Sequence, residues 1–349
     1  MSGARLPAYL SGYAREAEPR LKAFLEAKSA DVERLPVDLR PALAMLRDYV
    51  LRGGKRLRGA LVVLGCEAAG GTRAQALEAS VGVELLHAYL LIHDDFMDRD
   101  EVRRGGPTLH TALGRALGDQ LGGSSALLLG SLCEAWGLEL VLSAPVAPER
   151  AVAAGRVVAQ ALQQVTAGQL ADLTAPSGPE LSEADVLAVQ RMKTGSYTFE
   201  LPLRLGAILG GASAAVLEAL EKFARPLGQA FQIADDLLGT FGAPQTTGKP
   251  NVNDLREGKR TLLVVRALAS AQRSDAAQLR AGLGKRDLSD AGAAGLRDIL
   301  VRSGAEKWAR AEAERLCAEA LRALDGAPLP ASLAAALREI AEYSVRRTL

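Results

Sequence analysis

The sequence predicts an all-α protein organised as a single domain over residues 1–349. Strong helix formers, above all Ala, Leu, Glu and Arg, occur along almost the whole chain. Apolar residues recur at intervals of three and four, as in "LKAFLEA" and "ALVVLGCEAA", which is the spacing of one helix face. Alternating strand patterns are scarce. Typical helix lengths divide such a chain into about ten or more helices.

Glycine- and proline-rich stretches predict where successive helices end. They are "LRGGKRLRG", "RRGGPT", "APSGPELS" and "FGAPQTTGKPNVND". None of them is a long flexible linker, so we expect one domain. The 349 residues are 48% hydrophobic, which is enough apolar material for a large core. The long apolar run "SSALLLGSLCEAWGLELVLSAPVA" carries Glu134 and Glu139, which favours a buried core helix over a membrane span.

Charge and cysteine content exclude several classes of protein. The net charge is +1, which gives no overall field toward nucleic acid or an anionic membrane. Aromatic residues make up 4% of the chain and are not interleaved with basic residues, as in a single-strand binding platform. The three cysteines are widely spaced and form no CxxC pair. With an N-terminal stretch that has no secretory apolar region, they favour a cytoplasmic protein without stable membrane insertion.

The segment "LIHDDFMDRDEVRRGG" places carboxylates at the end of an apolar helix. On an ideal helix, His87, Asp94 and Asp98 fall within a strip about 60° wide, and Asp95 lies on its flank. Like charges one turn apart destabilise a helix, and the negative end of the helix dipole adds to the repulsion. A solvated helix end is one interpretation, but the preceding "AYLLI" should be buried. A divalent cation would resolve the conflict, and carboxylate ligands suit Mg2+ or Mn2+ better than Zn2+.

A second segment, "AFQIADDLLGTFG", repeats this arrangement. Gln232, Asp235 and Asp236 stand at i, i+3 and i+4, on one side of a predicted helix that is otherwise largely apolar. A solvated helix end is again the alternative. If the two helices faced each other, five aspartates would line one mouth and could hold several Mg2+ ions around a polyphosphate.

Basic residues beside glycine turns and acidic motifs predict a site for an anionic ligand, because arginine and lysine both bind phosphate. The groups are Lys55, Arg56 and Arg58; Arg103 and Arg104; Lys193 with Thr194; Lys249; and Lys259. Each would be an ordinary surface charge if it stood alone. The stretch "GGKRLRG" is not a P-loop, because it lacks the GxxxxGK[ST] spacing and follows no strand.

Five motifs in this order resemble the trans-prenyltransferases, the head-to-tail isoprenyl diphosphate synthases. They are "GGKRLRG", "HAYLLIHDDFMDRDEVRRGGPTLH", "MKTGSYTFELPL", "GQAFQIADDLLGTFG" and "GKPNVNDLREGKRTLLV". The resemblance extends from about Leu51 to the end of the chain. It implies a single antiparallel helical bundle around a deep apolar cavity, a homodimer, and Mg2+-dependent condensation of isopentenyl diphosphate with an allylic diphosphate.

The resemblance also implies roles for individual residues. The residues expected to ligate Mg2+ are Asp94, Asp98 and Asp235. Three Mg2+ ions are expected per site, and Mn2+ is the alternative metal. The expected isopentenyl diphosphate contacts are Lys55, Arg58, His87 and Arg104. The expected allylic diphosphate contacts are Arg103, Lys193, Thr194, Gln232, Lys249 and Lys259. The residues expected to act in catalysis are Asp94, Asp95, Asp98, Arg103, Lys193, Asp235, Asp236 and Lys249. No side chain is expected to be the base, because the departing diphosphate takes that role.

Product length is expected to depend on Tyr89 and Leu90, which lie five and four residues before Asp94. A bulky residue at position 89, without an insertion in "DDFMD", resembles geranylgeranyl diphosphate synthases and implies a C20 product. A C15 farnesyl product, or Tyr89 as an ordinary core residue, remains open. Gly239 stands where the second motif usually ends in an aspartate.

Three other functions compete with this interpretation. A terpene cyclase would carry an Asn/Asp-Ser/Thr-Glu triad in place of Asp235 and Asp236, and would lack "GGKRLR". A non-catalytic subunit of a heteromeric prenyl synthase would be expected to lose aspartates or basic contacts, and this chain keeps nearly all of them. A lipid-binding helical bundle would explain an apolar cavity but not the paired aspartates.

Overall fold

Helices build almost all of the structure, a computed structural model that describes residues 5–32, 36–242 and 252–346. The prediction of an all-α protein is therefore confirmed. The helices are α1 (Arg5–Val32), α2 (Arg40–Leu51), α3 (Leu57–Ala68), α4 (Arg73–Asp98), α5 (Leu109–Leu117), α6 (Asp119–Leu142), α7 (Pro148–Thr174), α8 (Glu183–Gln190), α9 (Leu201–Gly210), α10 (Ala214–Phe241), α11 (Asn253–Glu257), α12 (Leu262–Ser270), α13 (Arg273–Gly282), α14 (Asp290–Arg302), α15 (Ala305–Ala323) and α16 (Ala331–Arg346).

Three short elements interrupt this series. A 3-10 turn covers Ala175–Ser177, and a π-helical segment covers Arg191–Glu200. Strands β1 (Val102–Arg103) and β2 (Gly106–Pro107) form an antiparallel hairpin, in which Arg103 pairs with Gly106. The hairpin is the one departure from the predicted helical pattern within the described residues. Its two-residue strands are too short to produce an alternating pattern in the sequence.

The chain divides into two compact units. Unit 1 comprises Met1–Val158 and Pro202–Ser213, and unit 2 comprises Ala159–Leu201 and Ala214–Leu349. Each unit is described by itself below. The single domain over residues 1–349 stays a prediction.

In unit 1, helix α4 packs against α3, α5 and α6. Glycines at the crossing of α4 and α6 let the two backbones touch: a Cβ atom on Gly82 would lie 2.5 Å from the carbonyl oxygen of Gly137. Helices α3 and α9 meet in the same way, since a Cβ on Gly65 would lie 2.3 Å from the carbonyl oxygen of Leu203. These contacts fix α4, and therefore the aspartates at its end, against the rest of the unit.

In unit 2, helix α10 packs against the π-helical segment, α15 and α16. A Cβ on Gly228 of α10 would lie 3.0 Å from the Cα of Gly195, so the π-helical segment runs directly on α10. The rings of Phe199 and Phe231 meet edge to face at 5.5 Å across the same contact. The second aspartate motif and Lys193 are thereby carried on two elements that touch.

Helix α6 is the one described helix that is long and apolar enough to cross a bilayer. Within unit 1, however, its buried face includes Leu129, Cys133 and Trp136, and it packs against α4 and α5. This packing agrees with the expectation of a core helix.

Candidate active site

The first aspartate motif lies at the C-terminal end of α4, which extends to Asp98 as the spacing predicts. The helix ends there because Arg99 adopts the left-handed conformation, with φ of 58°. Asp94 and Asp98 are partly buried and stand one turn apart. Asp95 is fully buried, with 0% of its surface exposed. The three carboxylates, which look alike in the sequence, therefore occupy different environments.

Asp95 binds protein groups on both of its carboxylate oxygens. The hydroxyl of Tyr49 on α2 donates a hydrogen bond of 2.7 Å to Oδ2. The guanidinium of Arg103 donates through Nε to Oδ1 and also contacts Asp100 at 3.3 Å. Burial and the adjacent Asp95 raise the pKa of Tyr49, so its hydroxyl stays a donor at neutral pH. Both carboxylate oxygens of Asp95 are therefore in contact with protein groups.

The β1–β2 hairpin places the two arginines that follow the motif. Arg104 and Gly105, the two residues of its turn, both have positive φ, at 52° and 72°, which is the requirement of a type I′ turn. Arg52 of the α2 end fastens the hairpin, because its Nη1 donates to the carbonyl oxygen of Pro107 at 2.8 Å. Arg103 points to Asp95, whereas the Nη1 of Arg104 donates to the carbonyl oxygen of Gly53 at 3.0 Å.

The "GGKRLRG" loop presents its basic residues differently. Arg56 is buried in the left-handed conformation, with φ of 49°, and pairs with the buried Glu84 at 3.5 Å. Glu84 also accepts the backbone N–H of Gly59 at 2.8 Å, so this pair fastens the loop to α4. Arg56 is therefore structural, whereas Lys55 is exposed in the same loop.

Three of the four expected isopentenyl diphosphate contacts are brought together in unit 1. Arg58 Nη1 lies 3.3 Å from His87 Nε2, and the Arg104 guanidinium lies against Gly54 of the same loop. Burial, and then the charge of Arg58, hold the pKa of His87 well below its usual range, so the imidazole is neutral. The arginine side chains can bind an anion, and the neutral His87 does not repel the adjacent Arg58.

In unit 2, the second aspartate motif repeats the contrast between an accessible and a buried carboxylate. Asp235 is exposed, whereas Asp236 is buried and accepts amide hydrogen bonds from Gln190 at 2.6 Å and Gln232 at 2.7 Å. Burial raises the pKa of Asp236 well above its usual range; the Gln232 hydrogen bond opposes this, and the carboxylates of Asp254 and Asp235 add to it. Asp235 is thus the member of the pair that an ion can reach.

Lys193 lies on the π-helical segment and pairs with Asp172 of α7 at 2.6 Å. Gly168, one turn earlier on α7, allows this approach, since a Cβ there would lie 2.5 Å from the Lys193 backbone nitrogen. Thr194 is partly buried beside Lys193. Segments of π-helix occur frequently at functional sites. The local geometry thus places Lys193 next to a carboxylate that the sequence did not single out.

One of the two remaining expected phosphate contacts, Lys259, follows shortly after α11. Lys259 pairs with Glu257 at 2.8 Å and with Asp254 at 3.7 Å. Lys249 lies outside the described residues. Gly239, which replaces the usual last aspartate, faces Asp254: a Cβ on Gly239 would lie 2.4 Å from its Oδ2. Asp254 therefore brings a carboxylate to the helix face where the usual aspartate is missing.

The proposed length-determining Tyr89 is partly buried and packs edge to face on His93, at 4.7 Å between ring centres. His93 Nε2 lies 3.1 Å from the carbonyl oxygen of Leu127 on α6, which fixes the imidazole. Leu90 is also partly buried. Tyr89 is therefore supported by the residue directly before the aspartates.

Several contributors to these sites were not predicted, among them Tyr49, Arg52, Asp172 and Gln190. Each of these four is a single polar residue within a helix or directly after one, and each acts through a partner at least 21 positions away in the chain. No motif or periodicity marks such a residue in one sequence.

The carboxylates fit a hard divalent ion. Asp94 and Asp98 supply oxygen donors one helical turn apart, and Asp235 supplies another in unit 2. Among the described residues, no group of three or more His, Cys, Asp or Glu side chains is placed to hold an ion alone. Carboxylate oxygens are the donors that Mg2+ prefers, and this ion is usually bound by one or two carboxylates together with substrate phosphates and water.

Comparison with known proteins identifies the family. The model of the polyprenyl synthetase family matches residues 40–297. The (2E,6E)-farnesyl diphosphate synthase of Mycobacterium tuberculosis H37Rv is 36% identical over 297 residues, 84% of this chain and 80% of its own length. The geranylgeranyl diphosphate synthase of Methanosarcina mazei is 35% identical over 244 residues, 70% of this chain and 72% of its own.

Solved structures agree with these relatives. The geranylgeranyl pyrophosphate synthase of Corynebacterium glutamicum, in complex with isoprenyl diphosphate and magnesium, superposes with a TM-score of 0.91 at 33% identity. That match covers 98% of this chain and 99% of the other. The polyprenyl synthase of Caulobacter crescentus, in complex with calcium and isoprenyl diphosphate, has a TM-score of 0.83 at 28% identity and covers 100% and 99% of the two chains. The chain therefore belongs to the polyprenyl synthetase family and is a prenyltransferase of the short-chain prenyl diphosphate synthase type.

Proposed function

We propose that this enzyme condenses isopentenyl diphosphate with an allylic diphosphate to give geranylgeranyl diphosphate, the C20 product. The observation that carries the proposal is that each aspartate motif contains both accessible and buried carboxylates. One or two carboxylates of each motif are accessible to an ion, and the buried neighbour holds protein groups in place. In unit 1 the accessible pair is Asp94 and Asp98, on the same helix as His87, which lies beside Arg58. Acidic metal ligands beside cationic anion contacts are what a reaction between two diphosphates requires.

The residues of this chain would divide the work as follows. Asp94, Asp98 and Asp235 would hold Mg2+, three ions per site with Mn2+ as the alternative. When bound, the metal neutralises charge on the departing diphosphate. Arg103, Lys193, Thr194, Gln232, Lys249 and Lys259 would contact the allylic diphosphate, while Lys55, Arg58, His87 and Arg104 would hold isopentenyl diphosphate.

The reaction breaks the allylic C–O bond and forms a carbon–carbon bond. The diphosphate leaves with the bonding electrons, and the double bond of isopentenyl diphosphate attacks the allylic carbon from a fixed position. A proton is then lost from the new carbon chain, and the released diphosphate accepts it. The basic side chains would contact the diphosphates, and the buried Asp95 and Asp236 would keep these contacts in position. Neither buried carboxylate is proposed to accept the proton.

Tyr89 would limit the length of the product. Its ring is held by His93, so it cannot turn aside without losing that contact. The C15 product is the alternative, because a farnesyl diphosphate synthase is among the most similar relatives. A non-catalytic role in a heteromeric synthase is less well supported, because this chain keeps nearly all of the aspartates and basic residues of the motifs.

The test is product analysis with purified protein, Mg2+, labelled isopentenyl diphosphate and the C5, C10 or C15 allylic diphosphate. We expect a C20 product in the wild type and longer products in Tyr89→Ala. Phe24→Ala is the matched control, because Phe24 makes a similar edge contact with Trp136 on α6. A C15 product would keep the reaction and reject the C20 assignment. A folded protein that forms no product with any primer would reject the catalytic proposal.

The proposal includes a homodimer that acts in the cytoplasm. Helix α6 exposes Leu121, Leu128 and Leu142, at 57%, 70% and 46%, on the side opposite its buried residues. Their spacing by multiples of seven puts them along one face. A row of exposed leucines is a surface that a second copy would cover. The three cysteines are buried and form no disulfide among the described residues, in agreement with a reducing compartment.

A further inference from the structure

The carboxylate of Asp95 connects three elements of unit 1. Tyr49 reaches it from α2 and Arg103 reaches it from β1, while Asp95 itself is on α4. Tyr49 is 5% exposed and Asp95 is 0% exposed, so water does not compete for these bonds. A hydrogen bond to a buried, charged acceptor is among the stronger ones in proteins.

Arg103 has two carboxylates within reach on α4. Its guanidinium contacts Asp95 directly and lies 3.9 Å from Asp94, a proposed Mg2+ ligand. Contact with Asp100 at 3.3 Å holds it from a third side. The orientation of the Asp95 carboxylate therefore sets where the Arg103 guanidinium lies relative to Asp94.

Tyr49 fixes that orientation. Its hydroxyl takes Oδ2 at 2.7 Å, which leaves Oδ1 turned toward Arg103. The ring of Tyr49 is itself covered by the Arg52 guanidinium at 5.9 Å, and Arg52 donates to the carbonyl oxygens of Arg103 and Pro107. The same group of side chains thus fixes both the backbone and the guanidinium of Arg103.

We propose that Tyr49 is a positioning residue, which acts through Asp95 to hold Arg103 in the orientation that contacts the allylic diphosphate and leaves Asp94 available to Mg2+. The inference rests on the proposed function in its assignment of a diphosphate to Arg103. In this proposal Asp95 connects Tyr49 to Arg103 and does not ligate the metal.

The test compares Tyr49→Phe with Tyr13→Phe. Both substitutions remove one buried hydroxyl in unit 1; that of Tyr13 donates to Ser80 at 3.0 Å and is not connected to Asp95. We expect Tyr49→Phe to raise the KM for the allylic diphosphate about tenfold, with less than about a twofold change for isopentenyl diphosphate. Tyr13→Phe should leave the ratio of the two KM values unchanged, although both variants lose some thermal stability.

A binding measurement separates this inference from the catalytic proposal. Calorimetric titration with inorganic pyrophosphate and Mg2+ needs no turnover, and Tyr49→Phe should bind about tenfold more weakly than Tyr13→Phe. The double variant Tyr49→Phe/Asp95→Asn should be no weaker than Asp95→Asn alone, because the two residues act in series. If the wild type makes no prenyl product but these binding differences hold, only the catalytic proposal fails.

Four results would overturn the inference. The first is an equal effect of Tyr49→Phe and Tyr13→Phe on binding and on the KM ratio. The second is an equal rise in both KM values in Tyr49→Phe, which would indicate a general structural loss. The third is additive effects of the Tyr49 and Asp95 substitutions. The fourth is a wild type that does not bind Mg2+ and pyrophosphate.

Discussion

At the scale of single residues, burial separates side chains that look equivalent in the sequence. Asp94 and Asp95 are neighbours, yet Asp95 is fully buried and bonded to Tyr49 while Asp94 stays partly accessible. Arg56 and Arg58 differ in the same way: Arg56 pairs with the buried Glu84, whereas Arg58 faces His87. A buried charge needs a partner, so the enclosed member of each set acts structurally and the other is available to ligands.

This contrast predicts opposite effects in "GGKRLRG". Arg56→Met should lower the free energy of unfolding by about 3–5 kcal/mol, because the buried Glu84 would lose its charged partner. Arg58→Met should change stability little but raise the KM for isopentenyl diphosphate at least about tenfold. Urea denaturation and steady-state kinetics on both variants measure this. Equal loss of stability in the two variants would contradict the assignment.

At the scale of elements, the β1–β2 hairpin sets the directions of two adjacent arginines. Its type I′ turn sends Arg103 to Asp95 on α4 and Arg104 to the carbonyl of Gly53. Positive φ at Arg104 and Gly105 makes this reversal possible in two residues. The hairpin thus separates the proposed allylic and isopentenyl diphosphate contacts.

Gly105→Ala tests the role of this turn. Gly105 has φ of 72° and open space around the Cβ position, so the substitution strains the backbone by about 1 kcal/mol without a clash. Gly70→Ala is the matched control, with φ of 81° and the same open space outside the site. Both variants should lose similar thermal stability, and only Gly105→Ala should raise the KM values. Unchanged kinetics in Gly105→Ala would show that the turn does not control the arginines.

At the scale of the whole molecule, the exposed leucines of α6 point to association. Leu128 is 70% exposed although its helix packs with α4 and α5 through the opposite side. Exposure of these leucine side chains to water is unfavourable in free energy, and contact with a second copy of the chain would remove this cost.

Sedimentation of the wild type should therefore give twice the 36.6 kDa mass of the chain. Leu128→Glu should shift the protein toward the monomer, because a carboxylate would be buried in an apolar contact. Val301→Glu, at a residue of α14 that is 49% exposed, is the control and should leave the mass unchanged. A monomeric wild type, or a Leu128→Glu variant that stays fully dimeric, would reject this surface.

The sequence by itself determined the helical class, the end of α4 at Asp98, and the acidic and basic motifs. These features are local: helix periodicity and the spacing of residues within one turn place neighbouring side chains on one face. The motif order also indicated the family that comparison then confirmed. Product length stays a prediction, because it depends on the space around Tyr89.

Only the tertiary structure decided which member of each motif is enclosed and which residue holds it. Tyr49 lies 46 positions from Asp95, and Gln190 lies the same distance from Asp236. Asp172 lies 21 positions from Lys193, and Gly239 meets Asp254 from another helix. Such pairs arise when separate helices pack, and packing depends on the whole set of neighbouring side chains. No local pattern in a single chain encodes that set, so these partners emerge only from the fold.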